Sequence, residues 1–113
     1  MIELDLPYPC SVNHYYQRNR FGGISIGKKG KLYKANVGMI LAATKPMGGR
    51  LGVLIAMYPP DKRKRDLDNV LKCLLDSLNG LAWHDDNQID FLQIRRFDPI
   101  EYGSIKVQIR SLD

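Results

Sequence analysis

Apolar residues recur along this chain with two periods, and the alternation between them predicts most of its elements. Ile2, Leu4 and Leu6 alternate with Glu3 and Asp5, the mark of a short strand with one buried face, which Pro7 and Pro9 would end. From Lys31 to Thr44 the period lengthens, and Tyr33, Val37, Ile40 and Leu41 fall on one face of a helix stopped by Pro46-Met47-Gly48-Gly49. The run Leu51 to Tyr58 is continuously apolar and closed by Pro59-Pro60, as expected of a central strand buried on both faces. Leu67, Val70, Leu71, Leu74, Leu75 and Leu78 then form the ladder of a second amphipathic helix. Asp66 stands at its N-cap position and Gly80 follows Asn79 as its stop.

Two further strands complete the pattern. Gln88 to Phe97 carries Ile89, Phe91, Leu92 and Ile94, and Ile105, Val107 and Ile109 alternate with Lys106, Gln108 and Arg110. Strand, helix and strand from Leu51 onward predict a right-handed parallel crossover. The last strand, with one wet face, is expected antiparallel to its predecessor. The predicted fold is α+β, one mixed β-sheet of about four strands with two main helices, in a single domain spanning residues 1–113.

Between the first strand and the first helix the periodicity fails. Cys10 to Gly30 is polar, basic and glycine-punctuated, with aromatic residues among the cations, and reads as a long functional loop. Arg18, Arg20, Lys28 and Lys29 could hold phosphates there while Tyr15 or Tyr16 stacks on a flat group. The bland alternative is a flexible loop with one tyrosine pinned to the core.

Composition narrows the class. The 113 residues are 44% hydrophobic and 26% charged, which fits one folded domain and excludes a disordered chain. A net charge of +5 favours an anionic partner. Cys10 and Cys73 lack metal-ligand spacing, no apolar run could span a bilayer, and Met1 to Leu6 carries two acids where a signal peptide would be basic. A reduced cytoplasm is the expected compartment.

The candidate chemistry lies at Lys62-Arg63-Lys64-Arg65-Asp66-Leu67-Asp68-Asn69 and Lys72. Four cations attract phosphates, and two adjoining carboxylates would repel them unless a hard divalent cation neutralised the acids. Phosphate, metal and carboxylate together point to phosphoryl-transfer chemistry. Asp68, Lys72 and Asp76 share helical spacing on a polar line. Another acidic pair, Asp85-Asp86, follows the second helix, and its loop would have to fold back toward Asp66 to share a metal. EF-hand, zinc and Walker patterns are absent, so no nucleotide cofactor is expected. Each of these residues also has a plain reading, as a cap, a surface pair or a turn.

Taken together, Arg63-Lys64-Arg65-Asp66-Leu67-Asp68-Asn69 with Lys72, and Trp83-His84-Asp85-Asp86-Asn87-Gln88-Ile89, resemble the RusA family of Holliday junction resolvases. Pro9-Cys10-Ser11-Val12-Asn13-His14-Tyr15-Tyr16 is similar to that family's entry segment, with Cys10 where proline is usual. The resemblance covers nearly the whole chain and is weakest from Phe21 to Lys31. It implies a homodimeric endonuclease that uses Mg²⁺ or Mn²⁺ to cut four-way DNA junctions. It further implies that Asp66, Asp68 and Asp86 bind the metal, with Asp86 preferred over Asp85, and that Lys72 acts on the scissile phosphate. Asn69 would support them. Asn13, Tyr15, Arg18, Arg20, Lys28, Lys62, Arg63, Lys64 and Arg65 are the expected DNA contacts. Two rival readings share these features: a basic nucleic-acid-binding domain without catalysis, and a metal-dependent nuclease for other DNA structures.

Overall fold

The computed structural model describes the backbone of residues 1–113 and all side chains except those at positions 12 and 13. The elements run β1 (Ile2–Leu6), α1 (Val12–Tyr15), β2 (Tyr16–Arg18), β3 (Ile24–Ile26), α2 (Lys28–Ile40), β4 (Leu51–Tyr58), a 3₁₀ turn (Leu67–Val70), α3 (Leu71–Leu78), a 3₁₀ turn (Asp86–Gln88), β5 (Ile89–Arg96) and β6 (Ser104–Ser111). β1, β6, β4 and β5 form one mixed sheet in that order. β4 and β5 are parallel, and β6 lies antiparallel to both β4 and β1. The four strands and two main helices expected from the periodicity are therefore present.

The details differ in ways that have physical causes. β6 inserts between β1 and β4 and does not lie beside β5, because alternation fixes which face is wet and carries no information about partners. Helix α2 begins at Lys28, three residues before the apolar pattern does, since Gly30 sits in its first turn where its small size allows close packing. The segment expected as a loop contains a helical turn and the hairpin β2–β3, closed by the Asn19 side chain accepting N–H bonds from Phe21 and Gly23 at 3.0 Å each.

One face of the sheet carries the core. Val53, Ile55 and Met57 from β4, Ile105, Val107 and Ile109 from β6, and Leu6 from β1 pack against Val37 and Leu41 of α2 and Leu74 and Leu78 of α3. The other face has no helix over it, so Leu54, Ala56 and Tyr58 are only half-buried. The expectation of a strand buried on both faces holds for one face alone. At the sheet's edge, β5 exposes Phe91 and Leu92, which point to opposite faces. No helix among the described residues is long and apolar enough to cross a membrane.

Candidate active site

The crossover from β4 to β5 carries every residue of the expected centre. It leaves the carboxyl end of β4 at Tyr58, passes Pro59-Pro60 and the cationic run, and enters the helical segment at Asp66. Asp66 occupies the N-cap, but its side chain makes no capping bond, so its carboxylate is left for other work. Asp66 and Asp68 are both exposed, Asn69 is half-buried, and Val70 behind them is buried. Two carboxylates one residue apart on an exposed turn suit a hard cation in donor type.

The cations divide into two groups. Asp61 accepts from Arg65 at 2.7 Å and from the Arg63 backbone N–H at 3.0 Å. The bond from Arg65 is the main cause holding the Asp61 carboxyl down to about 2. Arg65 is only 16% exposed, and its guanidinium lies 6.0 Å over the Tyr8 ring, while its carbonyl accepts from Arg96. Arg65 thus braces the loop, Arg63 is largely exposed with its Nε 3.5 Å from Asp61 Oδ2, and Lys62 and Lys64 stand in solvent.

Lys72 pairs with Asp76, Nζ to Oδ1 at 3.4 Å. The charge on Asp76, chiefly, raises the lysine above its ordinary value. Among the described residues no ion pair joins Lys72 to Asp68, so the polar line read from the sequence is engaged on its Asp76 side.

Asp86 is at the other end of the sheet. Leu51 pairs with Ile89 and Met57 with Arg96, so the turn before β5 lies where β4 begins and Asp66 lies where β4 finishes. An eight-residue strand separates those ends by about 23 Å. The loop is pinned there: Gln88 Nε2 donates to the Met47 and Gly49 carbonyls at 2.9 and 3.0 Å, and Arg50 donates to the Asn87 carbonyl at 2.8 Å. The fold-back toward Asp66 does not occur within the chain, and no cluster of three acidic, histidine or cysteine residues able to hold a metal is formed among the described residues. Asp85 is occupied in a capping box with Gln88, whose Oε1 takes the Asp85 N–H at 3.0 Å, and the half-buried Asp86 is the one not used as a cap.

The expected DNA contacts fare unevenly. Tyr15 is fully buried and donates its hydroxyl to Asp76 Oδ2 at 2.9 Å, so it is a core residue and cannot stack on a base. Tyr16, 39% exposed and edge-on to Tyr15 at 4.9 Å between ring centroids, is the accessible ring. Arg18 and Arg20 project from the hairpin, with Arg20 over the Phe21 ring at 5.1 Å, and Lys28 is exposed at the start of α2. Asn13 lies outside the described residues. Sequence reading missed Asp61 as the partner of Arg65, although their i,i+4 spacing was the signal that could have found it; it had placed Asp76 on the polar line of Lys72, where the pair is seen.

Residues 7–110 match the family described as Endodeoxyribonuclease RusA. Crossover junction endodeoxyribonuclease rusA of Enterobacteria phage HK97 is 38% identical over 113 residues, covering 96% of this chain and 92% of its own. The RusA protein of Escherichia coli K12 is 32% identical over 113 residues, with 96% and 93% covered. That of Enterobacteria phage 82 is 31% identical over 118 residues, with the same coverage. A family match across nearly the full chain, with relatives above 30% identity, places this protein in the RusA family of endodeoxyribonucleases.

Proposed function

We propose that this protein resolves four-way DNA junctions by paired phosphodiester hydrolysis, acting as a homodimer. The observation that carries the reading is the exposed pair Asp66 and Asp68 between a solvent-facing cationic run and Lys72, in a chain of this family. Lys62, Arg63 and Lys64 hold the DNA backbone near the cut, and Arg18, Arg20 and Lys28 extend that contact. Asn69 supports the turn that carries the two acids. The Lys72 ammonium stabilises charge on the phosphoryl oxygens, a role its raised basicity favours over that of a base.

Asp66 and Asp68 fit as ligands of a hard divalent cation, Mg²⁺ or Mn²⁺, and a third carboxylate has to come from elsewhere. When bound, the cation supplies an acidified water and neutralises phosphoryl charge. A second copy can complete the set. Antiparallel pairing of the edge strand β5 with its counterpart would reverse the ends of the sheet and bring the partner subunit's Asp86 toward Asp66 and Asp68. The same pairing would satisfy an eight-residue unpaired edge and cover Phe91 and Leu92. Two such sites on a two-fold axis match a substrate cut in two strands.

The test is cleavage of a labelled four-way junction beside a matched linear duplex, with Mg²⁺, with EDTA and with Asp68→Asn. Paired symmetric nicks at the junction, lost in EDTA and in the variant, are expected; equal cutting of both substrates would refute junction selectivity. Mixing Asp68→Asn with Asp86→Asn probes the shared site. A shared site leaves each heterodimer one intact centre and restores nicking, whereas sites confined to single chains give no restoration.

A further inference from the structure

An exposed lysine on a four-carbon stem samples many positions, and phosphate chemistry gains most from a charge held in one. Lys72 is paired with one carboxylate that is itself held from a second element. Asp76, one turn along α3, presents Oδ1 to the ammonium at 3.4 Å. Its other oxygen accepts the Tyr15 hydroxyl at 2.9 Å from a residue 61 positions earlier in the chain. Tyr15 is fully buried, and Gly30 packs directly against its ring and against Ile26.

An ordinary surface pair at i,i+4 has only its own helix to orient it and contributes little. Here the carboxylate is 19% exposed and is fastened from another element, so its free oxygen has a set direction. We infer that Asp76 is a positioning residue for the cleavage reaction, aiming the Lys72 ammonium, and that Tyr15 is the buttress that aims Asp76. The inference rests on the proposed role of Lys72.

The experiment measures junction affinity and single-turnover cleavage for Asp76→Asn, Lys72→Ala, the double variant and Tyr15→Phe, with circular dichroism as the folding control. Asparagine keeps an acceptor for the Tyr15 hydroxyl while removing the charge. Asp76→Asn is expected to slow cleavage about 10- to 100-fold with junction affinity unchanged, since a small misplacement of a catalytic group has that size of effect. The double variant should cleave no more slowly than Lys72→Ala, because Asp76 acts through Lys72. Tyr15→Phe should fall in the same direction by a smaller factor. Wild-type cleavage by Asp76→Asn alongside a crippled Lys72→Ala would overturn the inference while leaving the role of Lys72 standing. So would losses that multiply in the double variant, the outcome expected of a structural role. Wild-type cleavage by Lys72→Ala would overturn the role of Lys72 itself, and the inference with it.

Discussion

The same substitution at two glycines of helix α2 should change stability in opposite directions. A Cβ built on Gly30 meets Ile26 Cγ2 and Tyr15 Cδ1 at 2.7 Å each, whereas one built on Gly38 meets nothing within 4 Å. Alanine favours a helix over glycine by up to about 1 kcal/mol at either position. At Gly38 that gain stands alone, so Gly38→Ala should stabilise by about 0.4–1 kcal/mol. At Gly30 overpacking opposes it by about 1–3 kcal/mol, and Tyr15, buried with its hydroxyl bonded, has nowhere to retreat. The net is a destabilisation of about 1 kcal/mol, or roughly 4 °C in melting temperature for a domain of this size. Urea unfolding followed by the fluorescence of Trp83, the sole tryptophan, measures both variants. Stabilisation of the two by similar amounts would show that α2 does not pack on Tyr15 as described.

Other perturbations test separate parts of the structure. Trp83→Phe removes a fully buried indole whose N–H reaches Asn79 Oδ1 at 2.6 Å. It should cost about 2–3 kcal/mol in urea unfolding followed by circular dichroism, from lost packing and an unpaired acceptor, and a loss too small to measure would refute that account. Lys64→Ala should lower the slope of log affinity against log salt by about 1 without slowing cleavage at saturating enzyme; an unchanged slope would remove Lys64 from the phosphate contacts. The Asp61 carboxyl, held to about 2 mainly by Arg65, lies below its ordinary 3.8. Its bond to Arg65 therefore stabilises the loop above that ordinary value and is lost as pH falls through about 2. An NMR titration should place its midpoint there and return it toward the ordinary value in Arg65→Gln, and identical midpoints in both proteins would contradict the pairing.

What the sequence conveyed depended on the range over which each signal acts. Helices and strands were legible because Leu67 to Leu78 and Ile105 to Ile109 state their own faces within a dozen residues. The hairpin was not, since its closure rests on one side chain, Asn19, whose turn chemistry resembles that of any polar loop. Family resemblance implied the carboxylates Asp66, Asp68 and Asp86 as a set, but gave no sign of their separation. That distance depends on which end of β4 each loop leaves and enters, a property of the parallel crossover. Tyr15 misled for a related reason. A tyrosine among cations looks like a stacking ring, and only the packing of Gly30 against it and the position of Asp76 reveal a buried one.

The place of β6 in the sheet has a consequence for how the chain comes to be folded. β1 finds its strand partner only in β6, with Ile2 opposite Ile109, and β4 has β6 on one flank. A ribosome delivers β1 first and the strand that must enter the middle after all the others. Until residues 104–111 emerge, Ile2, Leu4 and Leu6 have no ladder to join, and β4 presents an open apolar edge. Closing contacts so distant in sequence is slow compared with forming α2 or α3, so the nascent chain spends its longest interval with the middle of its sheet missing. During that interval, pairing between the open strands of neighbouring chains competes with folding.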